Sequence, residues 1–186
     1  MRIIAYDRIN PGVTLESVQP YLKEEVSNVW RLWKTMTVNA SPARAFDVFT
    51  GRMIRWWRPD HHIGSSPMKE LVLEPRVDGR WYEVGEDGSA CDWGKVLAYE
   101  PPTRIVLAWQ LNQDWKYDAS FVTELEVRFV AEGTATRVEL EHRNLDRFGA
   151  RADALRADLD SQEGWTGALV AFAAYLDRVS QKEAAR

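Results

Sequence analysis

The sequence predicts an α+β domain in which a curved antiparallel sheet of about six to seven strands wraps around a long C-terminal helix. Six strand-like runs separated by short turns follow one another between residues 70 and 142. After them, apolar residues recur at helical spacing in one stripe: Trp165, Leu169, Phe172, Leu176 and Val179. A twisted sheet that wraps a single helix leaves room for a cavity between the two.

A strand and two short helices precede the meander. Residues 35–40 are strand-like, and Ser41 followed by Pro42 is typical of an N-cap and a first-turn proline. Gly51 is expected to end this helix. A second short helix over 52–57 ends before Pro59, because proline disfavours helical geometry in the residue before it. The strands of the meander are expected at 70–74, 80–84, 93–100, 104–111, 121–130 and 136–142.

Composition narrows the function classes. Acidic and basic residues are interspersed and the net charge is −4, whereas a nucleic-acid surface needs clustered Lys and Arg. No apolar run approaches the roughly 20 residues that span a bilayer. Cys91 is the single cysteine, so no intrachain disulfide forms, and we expect it to act as a small buried hydrophobe. These features predict a soluble cytoplasmic protein.

The order of predicted strands and helices divides the chain into an N-terminal β-α extension at 1–33, a main domain at 34–180 and a tail at 181–186. In the extension we expect a strand over 1–9 and a helix from Thr14 that ends with Trp30 and Trp33. Its apolar face is expected to cover an open sheet edge or a second subunit, which would give a homodimer.

Five segments carry a family resemblance: ASPARAFDVFTGRMIRWWRP (40–59), LEPRVDGRWYEV (73–84), GKVLAYEPPTRIVLAWQ (94–110), TRVELEH (136–142) and EGWTGAL (163–169). In this order they resemble the START-like (SRPBCC) superfamily, in the branch named after activators of the heat-shock protein 90 ATPase. The resemblance runs from about residue 35 to 180. It implies a helix-grip fold with a hydrophobic cavity between sheet and helix. Members include chaperone activators and ligand-sequestering resistance proteins, and more distant relatives are lipid carriers and polyketide cyclases, so no single activity follows.

Nine tryptophans are available to fill a core or to wall a pocket for an apolar ligand. Trp56 and Trp57 point about 100° apart on a helix, so either one packs while the other faces the cavity mouth, or both only anchor the short helix. Trp109 and Trp165 lie on the apolar faces of the sheet and of the last helix. They either border the cavity or simply fill the core.

The histidines allow more than one interpretation. His142 ends the inward row of Thr136, Val138 and Leu140, where it makes a structural hydrogen bond or anchors a ligand oxygen. Asp60, His61 and His62 invite a metal interpretation, but adjacent histidines do not easily share one site, and we expect no metal and no cofactor. No nucleophile, oxyanion motif or paired inward carboxylate accompanies these histidines, which disfavours catalysis.

The leading hypothesis is noncatalytic binding of a small hydrophobic, aromatic or lipid ligand between the sheet and the C-terminal helix. The expected ligand-binding residues are Trp56, Trp57, Trp81, Trp109, Phe129, His142, Trp165, Leu169 and Phe172. One alternative is a polyketide cyclase-like enzyme that uses His142 or the loop of His61 and His62. The other is an interaction module that resembles the chaperone activators. The charged stretch 143–163, in which ALRADL (154–159) allows a helical turn, is expected to be a solvated loop or a lid over the cavity.

Overall fold

The computed structural model describes residues 30–184, which form seven strands and three α-helices. In chain order these are β1 (Leu32–Val38), α1 (Pro42–Gly51), β2 (Met68–Leu73), β3 (Arg80–Gly85), β4 (Ala90–Glu100), β5 (Arg104–Trp109), β6 (Thr123–Glu132), β7 (Ala135–Arg143), α2 (Ala152–Asp160) and α3 (Trp165–Ala184). Two 3-10 turns, Met53–Arg55 and Leu145–Arg151, lie before β2 and before α2.

The sheet is antiparallel throughout, in the order β1-β7-β6-β5-β4-β3-β2. It curls around α3, whose predicted stripe is buried at Trp165, Leu169, Phe172 and Leu176 and partly buried at Val179. Helix α1 begins at the predicted place, where the Ser41 hydroxyl accepts from the backbone N–H of Arg44. The predicted helix-grip fold is confirmed.

The strands β4 and β5 approach unusually closely at Gly94, which pairs with Trp109. A Cβ atom at Gly94 would lie 1.7 Å from the carbonyl oxygen of Ala108, so a side chain at this position does not fit. The absence of a side chain lets the two strands bring Trp93 and Trp109 together, with their ring centroids 6.4 Å apart.

The outer face of the sheet carries paired charges. Glu126 on β6 is 2% exposed and accepts hydrogen bonds from Arg104, Arg128 and Arg143. Burial alone raises the pKa of this carboxyl, but the hydrogen bonds from the arginines outweigh burial and hold the pKa below its usual value. The outer face of β6 therefore carries an ion-pair network in which this carboxylate is buried.

His142 on β7 is fully buried and both of its ring nitrogens are bonded. The indole N–H of Trp165 donates to Nδ1 over 3.1 Å, and Nε2 lies 2.8 Å from the hydroxyl oxygen of Thr123. An indole only donates, so Nδ1 must be unprotonated, and Nε2 then donates to Thr123. Burial lowers the pKa of His142 to about 3. Of the two roles left open for His142, the structure shows the hydrogen bond within the core.

Several sequence predictions need correction. Trp33 lies in β1, opposite Glu141, and not in a helix, because Leu32 and Trp33 already follow the in-and-out alternation of the strand. The stretch 143–163 is mostly helical and not a loop: the helical turn expected at 154–159 is part of α2, to which Leu155 and Leu159 give a buried face. A single 3-10 turn replaces the helix expected at 52–57. The strand and most of the helix predicted for the extension lie outside the described residues.

None of the helices in residues 30–184 is long and apolar enough to cross a membrane.

Gly94→Ala should lower the free energy of unfolding by about 3 kcal/mol or more, because the added methyl group meets the backbone of the neighbouring strand. Gly51→Ala in α1 is the matched control, since a Cβ there meets no atom closer than 3.8 Å. It should change stability by less than about 1 kcal/mol. Urea unfolding monitored by circular dichroism measures both. Equal stability of the two variants would contradict the close strand contact.

His142 should make the protein less stable as the pH falls. The pKa of His142 is lower in the folded protein than the ordinary 6.5, so below pH 6.5 the imidazole is protonated in the unfolded chain but stays neutral in the folded protein. The contribution of His142 to the free energy of unfolding is therefore complete above pH 6.5 and falls as the pH is lowered towards 3. Between pH 7 and pH 5 the loss is about 2 kcal/mol.

His142→Gln tests this origin, because glutamine can donate and accept as the neutral imidazole does but does not titrate. Urea unfolding at pH 7 and pH 5 should show a smaller loss in this variant than in the wild type. His62→Gln, on the loop after α1, is the control and should keep the wild-type pH dependence. An unchanged dependence in His142→Gln would refute the assignment.

Candidate ligand-binding cavity

A cavity of about 460 Å³ lies between the sheet, the start of α3 and the loop that follows the first 3-10 turn. Small-molecule sites typically measure about 300–1,000 Å³, so the volume suits a compact organic ligand. Five of the nine tryptophans line it: Trp57, Trp93, Trp109, Trp115 and Trp165. Leu111, Leu159 and Ala168 add apolar surface, and charged side chains occur around the loop.

Four of these tryptophans form a closed circuit of edge-to-face or tilted contacts, which we call the tryptophan cluster. Trp57 contacts Trp93 and Trp165 with centroid distances of 5.3 and 5.9 Å, and Trp109 contacts the same two rings at 6.4 and 5.7 Å. The four rings come from the loop after α1, from β4, from β5 and from α3. The cluster therefore joins the helix to the sheet while it walls the cavity.

Trp115 differs from the cluster because its side chain is 41% exposed. It lies in the β5–β6 loop with a φ of +57°, a conformation that a non-glycine residue rarely adopts. The side-chain oxygen of Asn112 accepts from the backbone N–H groups of Asp114 and Lys116, at 3.0 and 3.2 Å, and so holds this loop. The ring of Trp115 meets Trp109 edge to face at 6.3 Å. The loop thus holds an aromatic ring at the cavity opening.

The loop of residues 58–64, which we call the mouth loop, supplies the polar part of the lining. Arg58 forms ion pairs with Asp60 and with Glu163, so it connects the loop to the segment before α3. The indole N–H of Trp57 donates to the carbonyl oxygen of His61 over 3.0 Å. His62 places Nδ1 3.0 Å from the carbonyl oxygen of Gly64 and therefore donates to it.

The pKa of His61 is lowered, first by burial and then by the charge of Arg58. Its imidazole is therefore neutral at neutral pH and is able to accept a proton. The neighbouring carboxyl of Asp60 has a pKa lowered to about 2, chiefly by its hydrogen bond from Arg58, and stays ionised. The mouth loop thus combines a neutral base with a carboxylate that the ion pair occupies.

The structure divides the predicted ligand-binding residues. Trp57, Trp109 and Trp165 line the cavity. The other six lie in the core and not in the cavity wall: Trp56, Trp81, Phe129, His142, Leu169 and Phe172. Phe129 and Phe172 pack edge to face on Phe49, and Trp56 packs on Phe49 and Phe172.

Sequence reasoning missed Trp93, Trp115 and the role of the mouth loop. The inward alternation of β4 would have marked Trp93, but irregular register between β4 and its neighbours obscures which face each residue takes. Trp115 follows no strand pattern because it lies in a loop. An apolar ring within a polar loop was the signal that sequence offered for it.

Two other sequence expectations concern metals and thiols. Within residues 30–184, no three side chains of His, Cys, Asp or Glu are grouped as a metal site. Cys91 is partly exposed rather than buried, and partial burial together with Glu83 and two aspartates raises the pKa of its thiol. The thiol is therefore protonated at neutral pH and a weak nucleophile.

Comparison with known proteins agrees with the fold. Txn09, an anthrahydroquino-γ-pyrone synthase solved in a complex with the compound SUM, is 36% identical, with a TM-score of 0.56; the match covers 77% of this chain and 94% of Txn09. CalC, a self-sacrificing resistance protein from Micromonospora echinospora, is 29% identical, with a TM-score of 0.60 and coverage of 80% and 94%. MLL2253 from Mesorhizobium loti is 17% identical, with a TM-score of 0.59 and coverage of 80% and 97%, and shows the fold alone.

No significant match is found among the curated proteins. The family model described as "Activator of Hsp90 ATPase homolog 1-like protein" matches residues 39–177, which is more than half of the chain. This match agrees with the motif order of the five segments quoted above. The chain therefore belongs to the family of activator of Hsp90 ATPase homolog 1-like proteins, within the SRPBCC superfamily.

Proposed function

We propose that this protein binds a planar, polycyclic aromatic molecule in the tryptophan-lined cavity. The observation that carries the proposal is the concentration of five tryptophans around one space of about 460 Å³. A core needs large apolar side chains, but it has no need to arrange them around a void, since a void forfeits contact energy. A flat ligand would recover those contacts and stack on rigid rings that lose little freedom on binding.

One polar group in the wall supports a ligand that carries an oxygen acceptor. Within the described residues, the buried indole N–H groups of Trp81 and Trp109 have no hydrogen-bond acceptor, and Trp109 lines the cavity whereas Trp81 does not. An unpaired buried donor costs about 1–3 kcal/mol, so a small movement of the Trp109 ring that brought its N–H to a ligand carbonyl or hydroxyl would regain that energy. We therefore propose the indole N–H of Trp109 as the anchor of a ligand oxygen in place of His142, whose ring nitrogens are both engaged.

The relatives agree with this class of ligand. Txn09 is named as a synthase of an anthrahydroquino-γ-pyrone, which is a fused aromatic ring system, and it shares 36% of its aligned residues with this chain. CalC is named as a self-sacrificing resistance protein.

Removing Trp115 should weaken binding of a three-ring probe, 1,4-dihydroxyanthraquinone, roughly tenfold, because one aromatic contact contributes about 1 kcal/mol beyond its buried area. Trp115→Ala suits the test because the ring is half-exposed and its loss should leave the fold intact. Trp33→Ala is the matched control, since Trp33 is 50% exposed on β1 outside the cavity. Isothermal titration calorimetry measures the dissociation constants. Equal affinity of the two variants would refute binding in the cavity.

A second candidate function is acid–base catalysis on such a molecule, with His61 as the base. It is favoured by the position of this neutral imidazole in the cavity lining and by the synthase activity in the name of Txn09. The reacting group of the substrate would then lie at the mouth loop, and its fused rings between the tryptophans.

For this candidate, His61→Gln should abolish conversion of an anthraquinone-type polyketide while it retains binding. In the wild type, kcat should rise with pH through a pKa below 6.5, because the base must be unprotonated. His62→Gln, one residue away on the same loop, should retain turnover. Liquid chromatography of the product formed at each pH measures turnover by the wild type and by both variants. Binding without turnover in the wild type would exclude catalysis on that substrate and leave binding as the function.

A further inference from the structure

Glu83 on β3 is a buried carboxylate whose partners in the described residues are all N–H donors. It is 1% exposed and accepts from the backbone N–H of Ile63, at 3.1 and 3.2 Å from its two oxygens, and from that of Gly64. The indole N–H of Trp93 donates to Oε2 over 2.9 Å. One side chain therefore holds both the mouth loop and a ring of the tryptophan cluster.

Burial of the Glu83 carboxylate costs solvation free energy, and that cost needs an explanation. A carboxylate taken out of water loses several kcal/mol of solvation unless charge-assisted hydrogen bonds replace it. Glu126, the comparable buried carboxylate of the outer face, is instead surrounded by three arginines. A neutral side chain at position 83 could fill space at lower cost, so packing alone does not explain a glutamate there.

The absence of a side chain at Gly64 is part of the same arrangement. A Cβ atom at position 64 would lie 2.6 Å from Oε1 of Glu83, so the carboxylate approaches the loop where a side chain is absent. The loop then turns back, and the carbonyl oxygen of Gly64 accepts from His62. Backbone, carboxylate and histidine are thus fixed relative to one another.

We propose that Glu83 is the positioning residue of the cavity: it fixes Trp93 in the wall and the mouth loop that carries His61 and His62. The expected effect of Glu83 on ligand binding rests on the proposed function. The geometry itself, one carboxylate joined to three donors of the cavity lining and its loop, is independent of which ligand is bound.

Glu83→Gln tests the proposal, because the amide keeps the shape but turns an NH2 group towards N–H donors. The indole resonance of Trp93 and the amide resonances of Ile63 and Gly64 should move upfield in ¹⁵N-edited NMR spectra as charge-assisted bonds are lost. Affinity for 1,4-dihydroxyanthraquinone should fall at least tenfold. Glu126→Gln, an equally buried carboxylate outside the cavity, is the matched control and should leave both the Trp93 resonance and the affinity unchanged.

Gly64→Ala is a second variant for the case in which Glu83→Gln does not fold. It should displace the carboxylate and move the Trp93 indole resonance with the carboxylate retained. If the wild type binds no probe, the proposed function fails, but the resonances still test the positioning role. Unchanged Trp93, Ile63 and Gly64 resonances in both variants, or an affinity loss in Glu126→Gln equal to that in Glu83→Gln, would overturn it.

Discussion

Edge-to-face contact between indole rings is the interaction that holds the cavity and the fold together. The tryptophan cluster closes through Trp57, Trp93, Trp109 and Trp165, which belong to four different elements. Each such contact contributes about 0.5–1.5 kcal/mol beyond burial, and the rigid rings hold their spacing without filling the space between sheet and helix. The helix is thus fixed to the sheet at the cavity end by the same rings that form the cavity wall.

Two buried polar side chains each fix the orientation of one ring of this cluster. His142 accepts from the indole N–H of Trp165 and binds it to β7, while Glu83 accepts from the indole N–H of Trp93 and binds it to the mouth loop. An indole has one donor, and pairing it selects a single ring orientation. The neutral state of the His142 imidazole and the close approach of Glu83 to Gly64 therefore both help to fix the orientation of rings in the tryptophan cluster.

The sequence predicted the fold well because its signals are periodic and local. Alternation in β5 through β7, the Ser41-Pro42 cap and the stripe of α3 each reflect one element, and the family resemblance ordered them.

The cavity was predicted less well. Distinguishing Trp57 from Trp56, or Trp109 from Trp81, depends on how side chains from distant strands pack, and β4 carries irregular register that shifts its faces. His142 was placed on the correct face, but its partners Thr123 and Trp165 lie 19 and 23 residues away. Trp115 and Glu83 depend on loop and cross-strand geometry that no local pattern encodes.

Entry of an aromatic ligand into the space between the tryptophans can be observed by titrating ¹⁵N-labelled protein with 1,4-dihydroxyanthraquinone and following the nine indole N–H resonances. Ring-current shifts from a ligand in the cavity should be large for Trp57, Trp93, Trp109, Trp115 and Trp165 and small for Trp33, which lies on the outside of β1. Saturable shifts confined to these five would support the account. Shifts confined to Trp33, or no shifts at any concentration that keeps the probe dissolved, would contradict it.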